Sequence, residues 1–209
     1  MDISGIRRDY DGGELNEEDL PPTPKPLFDQ WLEEAFDAGI RDANSMVLST
    51  VDPLGSPSSR IVLVKEVHRM GFYFYTNYDS RKGIDLASNP RAALLFHWAQ
   101  LDRVVRVEGR VERVTDVESD VYFKSRPHGS QLVAIASPQS KVIPSRQYLS
   151  DRMAELEAQG GEVKRPNNWG GYLLRPRSIE FWQGRRDRLH DRIRYRVHDG
   201  AWVSERLAP

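Results

Sequence analysis

Apolar positions recur at helical spacing over residues 26–39, where Leu27, Phe28, Trp31, Leu32, Ala35 and Phe36 share a face and Gly39 offers a stop. The period then changes. Short apolar and β-branched runs predict strands over residues 46–51, 59–67 and 72–76, with turns at 52–55 and near Met70-Gly71. Ser80 is an N-cap for a helix running to about residue 88, and strands follow over 92–98 and 103–114. In the second of these, Val105, Val107, Gly109 and Val111 alternate with Arg106, Glu108, Arg110 and Glu112, which predicts one buried and one wet face. Thr115 with Glu118 forms a capping box for a helix over 115–125, leading into a turn that ends at Ser130. Residues 145–159 form another amphipathic helix whose buried face is Tyr148, Leu149, Met153 and Leu156. Two strands over 169–182, joined at residues 175–178, precede an Arg-rich strand, a hairpin turn at 198–200 and a closing strand over 201–207. The pattern is mainly β with α, an α+β chain of antiparallel strands and flanking helices. No Gly-x-Gly-x-x-Gly follows a strand, so a Rossmann nucleotide site is unsupported.

The Arg-rich segment repays closer reading. If it is extended on either side of a break at Gln183-Gly184, the period-two rule places Arg186, Arg188, His190, Arg192 and Arg194 on one face. Leu189, Ile193 and Tyr195 form an apolar back, interrupted by Asp191. Such a stripe suits an anion site and equally an Arg-rich edge strand that discourages sheet-to-sheet aggregation. Arg60 and Lys65 bracket an otherwise apolar strand, so they need anionic partners or a sheet edge. Arg81 and Lys82 sit in a helix's first turn, where cations oppose the dipole unless an anion binds there. Tyr122, Arg126 and Ser130, at a helix end and turn, combine a guanidinium fork with hydroxyls suited to phosphate.

Composition narrows the picture. With 209 residues and 39% hydrophobic content, the chain is expected to form a single domain with one core. Residues 1–26 are polar, acidic and rich in Gly and Pro, which predicts a flexible segment. A net charge of −1 provides no global field for nucleic acid or anionic membrane, so anion binding must come from local clusters. The absence of Cys excludes disulfides and thiolate chemistry, leaving any redox step to a bound cofactor. There is no His pair or carboxylate cluster at metal-ligand spacing. An apolar leader and a long apolar run are also lacking, from which a cytoplasmic location is expected.

Glu180-Phe181-Trp182-Gln183, four further residues, then Arg188-Leu189-His190-Asp191-Arg192 resembles the C-terminal signature of the pyridoxamine 5'-phosphate oxidases. Several rare residue types at fixed spacing make the match specific, and it extends collinearly from Arg7 to Pro209. The resemblance implies an FMN-binding split β-barrel and a homodimer with two flavin sites at the subunit interface. It further implies oxidation of pyridoxine or pyridoxamine 5'-phosphate by O2, with hydrogen peroxide released. FMN contacts would come from Arg60, Ile61, Val62, Leu63, Val64, Lys65, Tyr75, Thr76, Arg81, Lys82, Gln139, Ser140, Trp182 and Arg192. Lys65, Tyr122, Arg126 and Ser130 would hold the substrate phosphate, with Arg188 and His190 as catalytic residues at the substrate's face. Arg7, Arg8 and Tyr10 match a segment that folds over the active site as a lid. Val104 departs from the family, which usually has a flavin-contacting Gln there. A related flavin oxidase of phenazine biosynthesis and a non-catalytic flavin or vitamin carrier are the alternative readings.

Overall fold

The computed structural model describes residues 1–5, 9–68 and 71–209. Its spine is one long strand. β7 (Trp169–Gln183) pairs with β6 (Arg103–Arg113) along one edge for nearly its whole length. Its other edge is divided: β4 (Gly71–Asn77) takes residues 169–174 and β8 (Asp191–His198) takes 178–183. Outward from β6 come β5 (Arg91–Trp98), β1 (Ser45–Val51) and β2 (Pro57–Leu63); β3 (Glu66–His68) closes the β4 side and β9 (Ala201–Arg206) the β8 side. All these pairings are antiparallel.

The continuous β7 corrects the expectation of two strands joined at residues 175–178. Pro176, within that junction, lacks a donor, but the ladder shifts register between Glu108 and Gly109 opposite it and the strand continues. Gly109 makes this close approach possible, since a Cβ there would lie 2.1 Å from the Arg175 carbonyl oxygen. The single strand expected over 59–67 likewise divides into β2 and β3. Val64 turns into the core at the break and Lys65 is exposed.

The Arg-rich stripe is corrected more strongly. Residues 186–188 form a 3₁₀ turn, with Asp187 and Arg188 both left-handed (φ 54° and 60°), and regular pairing resumes only at Asp191. Period-two alternation therefore fails over 186–190, and Leu189, expected on the buried back, is exposed. Ile193 and Tyr195 are buried as expected.

Among the described residues, five α-helices flank the sheet: α1 (Pro24–Asp37), α2 (Arg81–Ser88), α3 (Asp116–Ser125), α4 (His128–Ala136) and α5 (Arg146–Gln159). The caps at Ser80 and Thr115 work as the sequence suggests, accepting from the amides of Gly83 and Glu118, and Ser145 likewise accepts from the Tyr148 amide. The capping box at Thr115 and Glu118 is complete. α4 was not anticipated; it begins directly after Pro127, without a side-chain cap. In α1, Phe28 and Trp31 enter the core edge-on to Phe72, Phe96 and Phe181, each ring contributing roughly 2–3 kcal/mol by leaving water. Phe36, read as part of that face, is half-exposed. The face of α5 formed by Tyr148, Leu149, Met153 and Leu156 is only partly covered in the single chain. Among the described residues, no helix is long and apolar enough to cross a membrane.

Candidate active site

A cavity of about 480 Å³ lies where β2, β4, the start of α2 and the segment after α4 converge. Arg60, Ile61, Val62, Tyr75, Thr76, Arg81, Lys82, Gln139 and Ser140 line it, together with Ser58 and Ser59. Nine predicted cofactor residues from four stretches of sequence thus meet. Of the others in the first stretch, Leu63 and Lys65 are outside the lining and the Val64 side chain is in the core. Among the described lining residues there are three cations and no carboxylate.

Lys82 is the most demanding of the three. Its side chain is buried, yet Nζ donates only to neutral oxygens: Gln139 Oε1 at 2.9 Å, Thr76 Oγ1 at 3.1 Å and Ser80 Oγ at 3.2 Å. Burial, with help from the nearby Arg60 charge, lowers its pKa to about 8. Arg60 Nη1 reaches Thr50 Oγ1 at 2.7 Å and the Leu48 carbonyl at 3.2 Å, and Nη2 reaches Ser58 Oγ at 2.5 Å. Asp85, itself buried, stands 3.8 Å from Arg60 Nη2. Burial lowers the Arg60 pKa against the pull of Asp85. This cluster of cations and hydroxyls at a helix N-terminus matches the donor chemistry of a phosphate site.

An aromatic wall adjoins the cavity. Tyr75 stacks on Tyr122 of α3 at 3.7 Å and 18°, and Trp169 lies nearly parallel to Tyr122, with centroids 6.2 Å apart at 3°. Burial pushes the Tyr75 phenol up to about 12. The Arg126 guanidinium carbon sits 4.6 Å from the Trp169 ring centroid, and its buried Nη1 has no hydrogen-bond partner. Burial lowers the Arg126 pKa. Ser130 is half-buried near the start of α4. Lys65 approaches through its backbone, donating to the Tyr73 carbonyl at 2.9 Å, while its side chain is exposed.

The remaining predicted residues gather elsewhere. Trp182 and Arg192 line a separate cavity of about 310 Å³ with Leu95, Val104, Arg106, Glu180 and Pro209. Within one chain, then, they do not join the other cofactor residues. Arg192 is held by Glu180 (Nε to Oε1, 2.8 Å), which also pairs with Arg106. Beside this cavity, Tyr10 stands edge-on to Trp182 at 5.6 Å and to His190 at 5.2 Å, and Trp182 lies 4.7 Å from His190. His190 Nδ1 accepts from the Arg185 amide at 3.0 Å, so a neutral ring carries its proton on Nε2. Burial first, then the adjacent Arg188 charge, lowers the His190 pKa.

Residues beyond Tyr10 are fastened to the same hairpin. Leu15 N donates to Asp191 at 3.2 Å, Arg185 pairs with Glu14, Arg206 pairs with Glu17, and Tyr195 donates to the Pro21 carbonyl at 2.9 Å. Arg7 and Arg8, expected in the lid, lie outside the described residues. Sequence reasoning missed Trp169, Glu180 as a holder of Arg192, and Asp85. A Glu two positions before the signature Trp was visible, but its partner Arg106 lies 74 residues away.

Comparison with known proteins bears on this geometry. Residues 32–160 match the family model described as pyridoxamine 5'-phosphate oxidase. Residues 169–209 match the pyridoxine 5'-phosphate oxidase C-terminal dimerisation region. The pyridoxine/pyridoxamine 5'-phosphate oxidase of Cupriavidus pinatubonensis is 54% identical over 209 residues, with 99% of each chain covered. That of Herminiimonas arsenicoxydans is 53% identical over 211 residues, with both chains fully covered. Among solved structures, PhzG from Burkholderia lata 383, in complex with tetrahydrophenazine-1-carboxylic acid, superposes with a TM-score of 0.91 at 30% identity, covering 97% of this chain and 100% of that one. A pyridoxamine 5'-phosphate oxidase-related FMN-binding protein from Nostoc punctiforme shares the fold alone, with a TM-score of 0.73 at 17% identity over 91% of this chain and 99% of that one. The architecture is the split barrel expected from the sequence.

Proposed function

The chain belongs to the pyridoxamine 5'-phosphate oxidase family, and from that premise we propose that it oxidises pyridoxine or pyridoxamine 5'-phosphate to pyridoxal 5'-phosphate with FMN as cofactor, as a cytoplasmic homodimer. The observation that carries the cofactor reading is Lys82, a buried ammonium with only neutral acceptors in a cavity whose lining adds Arg60, Arg81 and no acid. A buried charge of this kind is costly without a counter-ion, and a phosphate supplies one. Arg60, Arg81, Lys82 and the nearby hydroxyls would hold the FMN phosphate.

The second half of the reading concerns assembly. Glu180, Trp182, Arg192 and Pro209 lie in the region that matches the dimerisation model and line the second cavity. In a homodimer, this cavity would face the cation cavity of the other subunit, completing a flavin site that neither chain holds alone. Glu180 would keep Arg192 aimed at the flavin, and Val104 would leave one family hydrogen bond unmade.

Bound FMN would supply a two-electron acceptor, reoxidised by O2 with release of hydrogen peroxide; the amine substrate also consumes water and yields ammonia. The chain's own residues would bind and orient the substrate. Arg126, Tyr122, Ser130 and Lys65 would neutralise its phosphate, and Arg188 and His190 would hold the ring at the reacting face. His190, fixed by the Arg185 amide, would present Nε2–H to the substrate. Tyr10 would cover this side and keep water out.

The test is peroxide formation by purified protein showing oxidised-flavin absorption near ~450 nm. With pyridoxamine 5'-phosphate, peroxide equimolar to pyridoxal 5'-phosphate is expected. The structural likeness to PhzG keeps a phenazine-type acid as the second reading. Turnover of such an acid, without turnover of the phosphorylated vitamers, would establish that reading instead.

A further inference from the structure

Arg126 is held in an unusual way. Among the described residues no carboxylate pairs with it, and its buried Nη1 makes no hydrogen bond. Its position comes from rings, with Cζ lying 4.6 Å from the Trp169 centroid and 5.9 Å from that of Phe123. Trp169 is in turn fixed from several sides. It lies parallel to Tyr122 and to Tyr75 (5.8 Å, 17°), and Phe123 meets it edge-on at 5.2 Å. Arg165 then staples the strand to the helix, donating to the Trp169 carbonyl at 2.7 Å, to Asp116 at 2.8 Å and to Asp120 at 2.6 Å. One indole therefore abuts both Tyr122 and Arg126, two residues assigned above to the substrate phosphate.

We propose that Trp169 is a positioning residue for the substrate phosphate, holding the Arg126 guanidinium on its face so that the full positive charge is left for the ligand. The physical reason lies in the choice of partner. A carboxylate would hold an arginine more tightly, but it would neutralise the arginine and compete with phosphate for its donors. An aromatic face orients the planar cation and consumes none of its N–H groups. The unpartnered Nη1 is what such an arrangement leaves for a ligand. This role rests on the proposed function, because it presumes that Arg126 meets the substrate's phosphate.

The test compares kcat/KM for pyridoxine 5'-phosphate and for pyridoxine in wild type, Trp169→Phe, Trp169→Leu and Arg126→Ala, each loaded with FMN. Trp169→Leu is expected to lose about tenfold in kcat/KM on the phosphorylated substrate, mainly through KM, with little change on pyridoxine. Trp169→Phe, which keeps a smaller ring, should lose about threefold. Flavin content and spectrum should be those of wild type in both. Adding Trp169→Leu to Arg126→Ala should cost nothing further, since the platform then has nothing to hold. Equal losses on the two substrates would mark Trp169 as merely structural and overturn the proposal. If Trp169→Leu does not fold, Trp169→Phe decides by the same criterion. Loss of phosphate preference in Arg126→Ala, with none in either Trp169 variant, would overturn the Trp169 role alone. An unchanged preference in Arg126→Ala would overturn the phosphate assignment of Arg126 as well.

Discussion

The arginines of the C-terminal hairpin are dense in the sequence and the cations of the β2–α2 cavity are scattered, and the two sets have opposite fates in the fold. In the hairpin, Arg185 pairs with Glu14 and Asp191, Arg186 with Asp11, Arg192 with Glu180, Arg194 and Arg196 with Glu205, and Arg206 with Glu17 and Asp191. Among the described residues, Arg188 is the member of that run without such a pair. In the cavity, Lys82 meets only neutral oxygens and Arg60 an acid at 3.8 Å, and in the adjoining wall Arg126 packs on rings. A count of positive charges therefore does not locate an anion site. What locates it is charge left uncompensated by the protein, because such charge costs stability unless a ligand repays it.

The largest effect expected from this contrast is catalytic. Arg188→Ala and His190→Ala should each lower kcat on the order of 100-fold while the proteins purify with normal flavin content. Colourless protein from either variant would move that residue to the flavin side.

A buried cation without a counter-charge should also burden the unliganded protein. The Lys82 pKa is about 8 in the folded chain against an ordinary 10.5. Between these values the unfolded chain holds a proton that the folded chain has released, so this group makes stability rise with pH across that window. At pH 7 the charge is present and unfavourable. Lys82→Met should accordingly stabilise the flavin-free protein at pH 7 by on the order of 1–2 kcal/mol while weakening FMN binding. That gain should shrink as pH passes from 8 towards 10.5, where wild type has shed the proton. Urea titrations of flavin-free protein at pH 7 and pH 10 measure it, and a gain that grows with pH would contradict this view of Lys82.

The second cavity offers a smaller effect. Val104 stands beside Trp182 and Arg192 with no polar group to offer, so Val104→Gln should tighten FMN by about 1 kcal/mol in a fluorescence titration. Weaker binding would show that the pocket is packed around valine. The smallest effect belongs to the compensated hairpin: Arg196→Gln removes a surface pair with Glu205 and should leave flavin affinity within about twofold of wild type.

The same contrast explains what could be read from the sequence. Local signals were reliable: the caps at Ser80 and Thr115 act within three residues, and the alternation of Val105, Val107 and Val111 shows directly as buried positions in β6. The cavity cations Arg60, Arg81 and Lys82 stood out by their placement in a strand and a helix's first turn, but only the family resemblance joined them to Gln139 and Ser140, since no spacing rule links Arg60 to Gln139. Features set by tertiary partners were illegible. Asp187 and Arg188 leave the extended region, so a period-two stripe drawn through them placed Leu189 on the wrong side. Three of the acids that neutralise the hairpin, Asp11, Glu14 and Glu17, lie more than 170 positions away from their partners Arg186, Arg185 and Arg206. α4 escaped because it has no capping side chain and opens on His128-Gly129-Ser130, residues typical of a turn. Residues 175–178 looked like a junction of two strands because a register shift cannot be seen from one strand alone.

The central claim, that the uncompensated cavity cations are a phosphate site, is tested most directly by titrating flavin-free protein with FMN and with riboflavin, which differ only in the phosphate. Wild type should bind FMN at least about 100-fold more tightly, the equivalent of two charge-assisted contacts, and Arg81→Ala combined with Lys82→Ala should remove most of that difference. Equal affinity of wild type for the two flavins, or a difference that survives in the double variant, would contradict it.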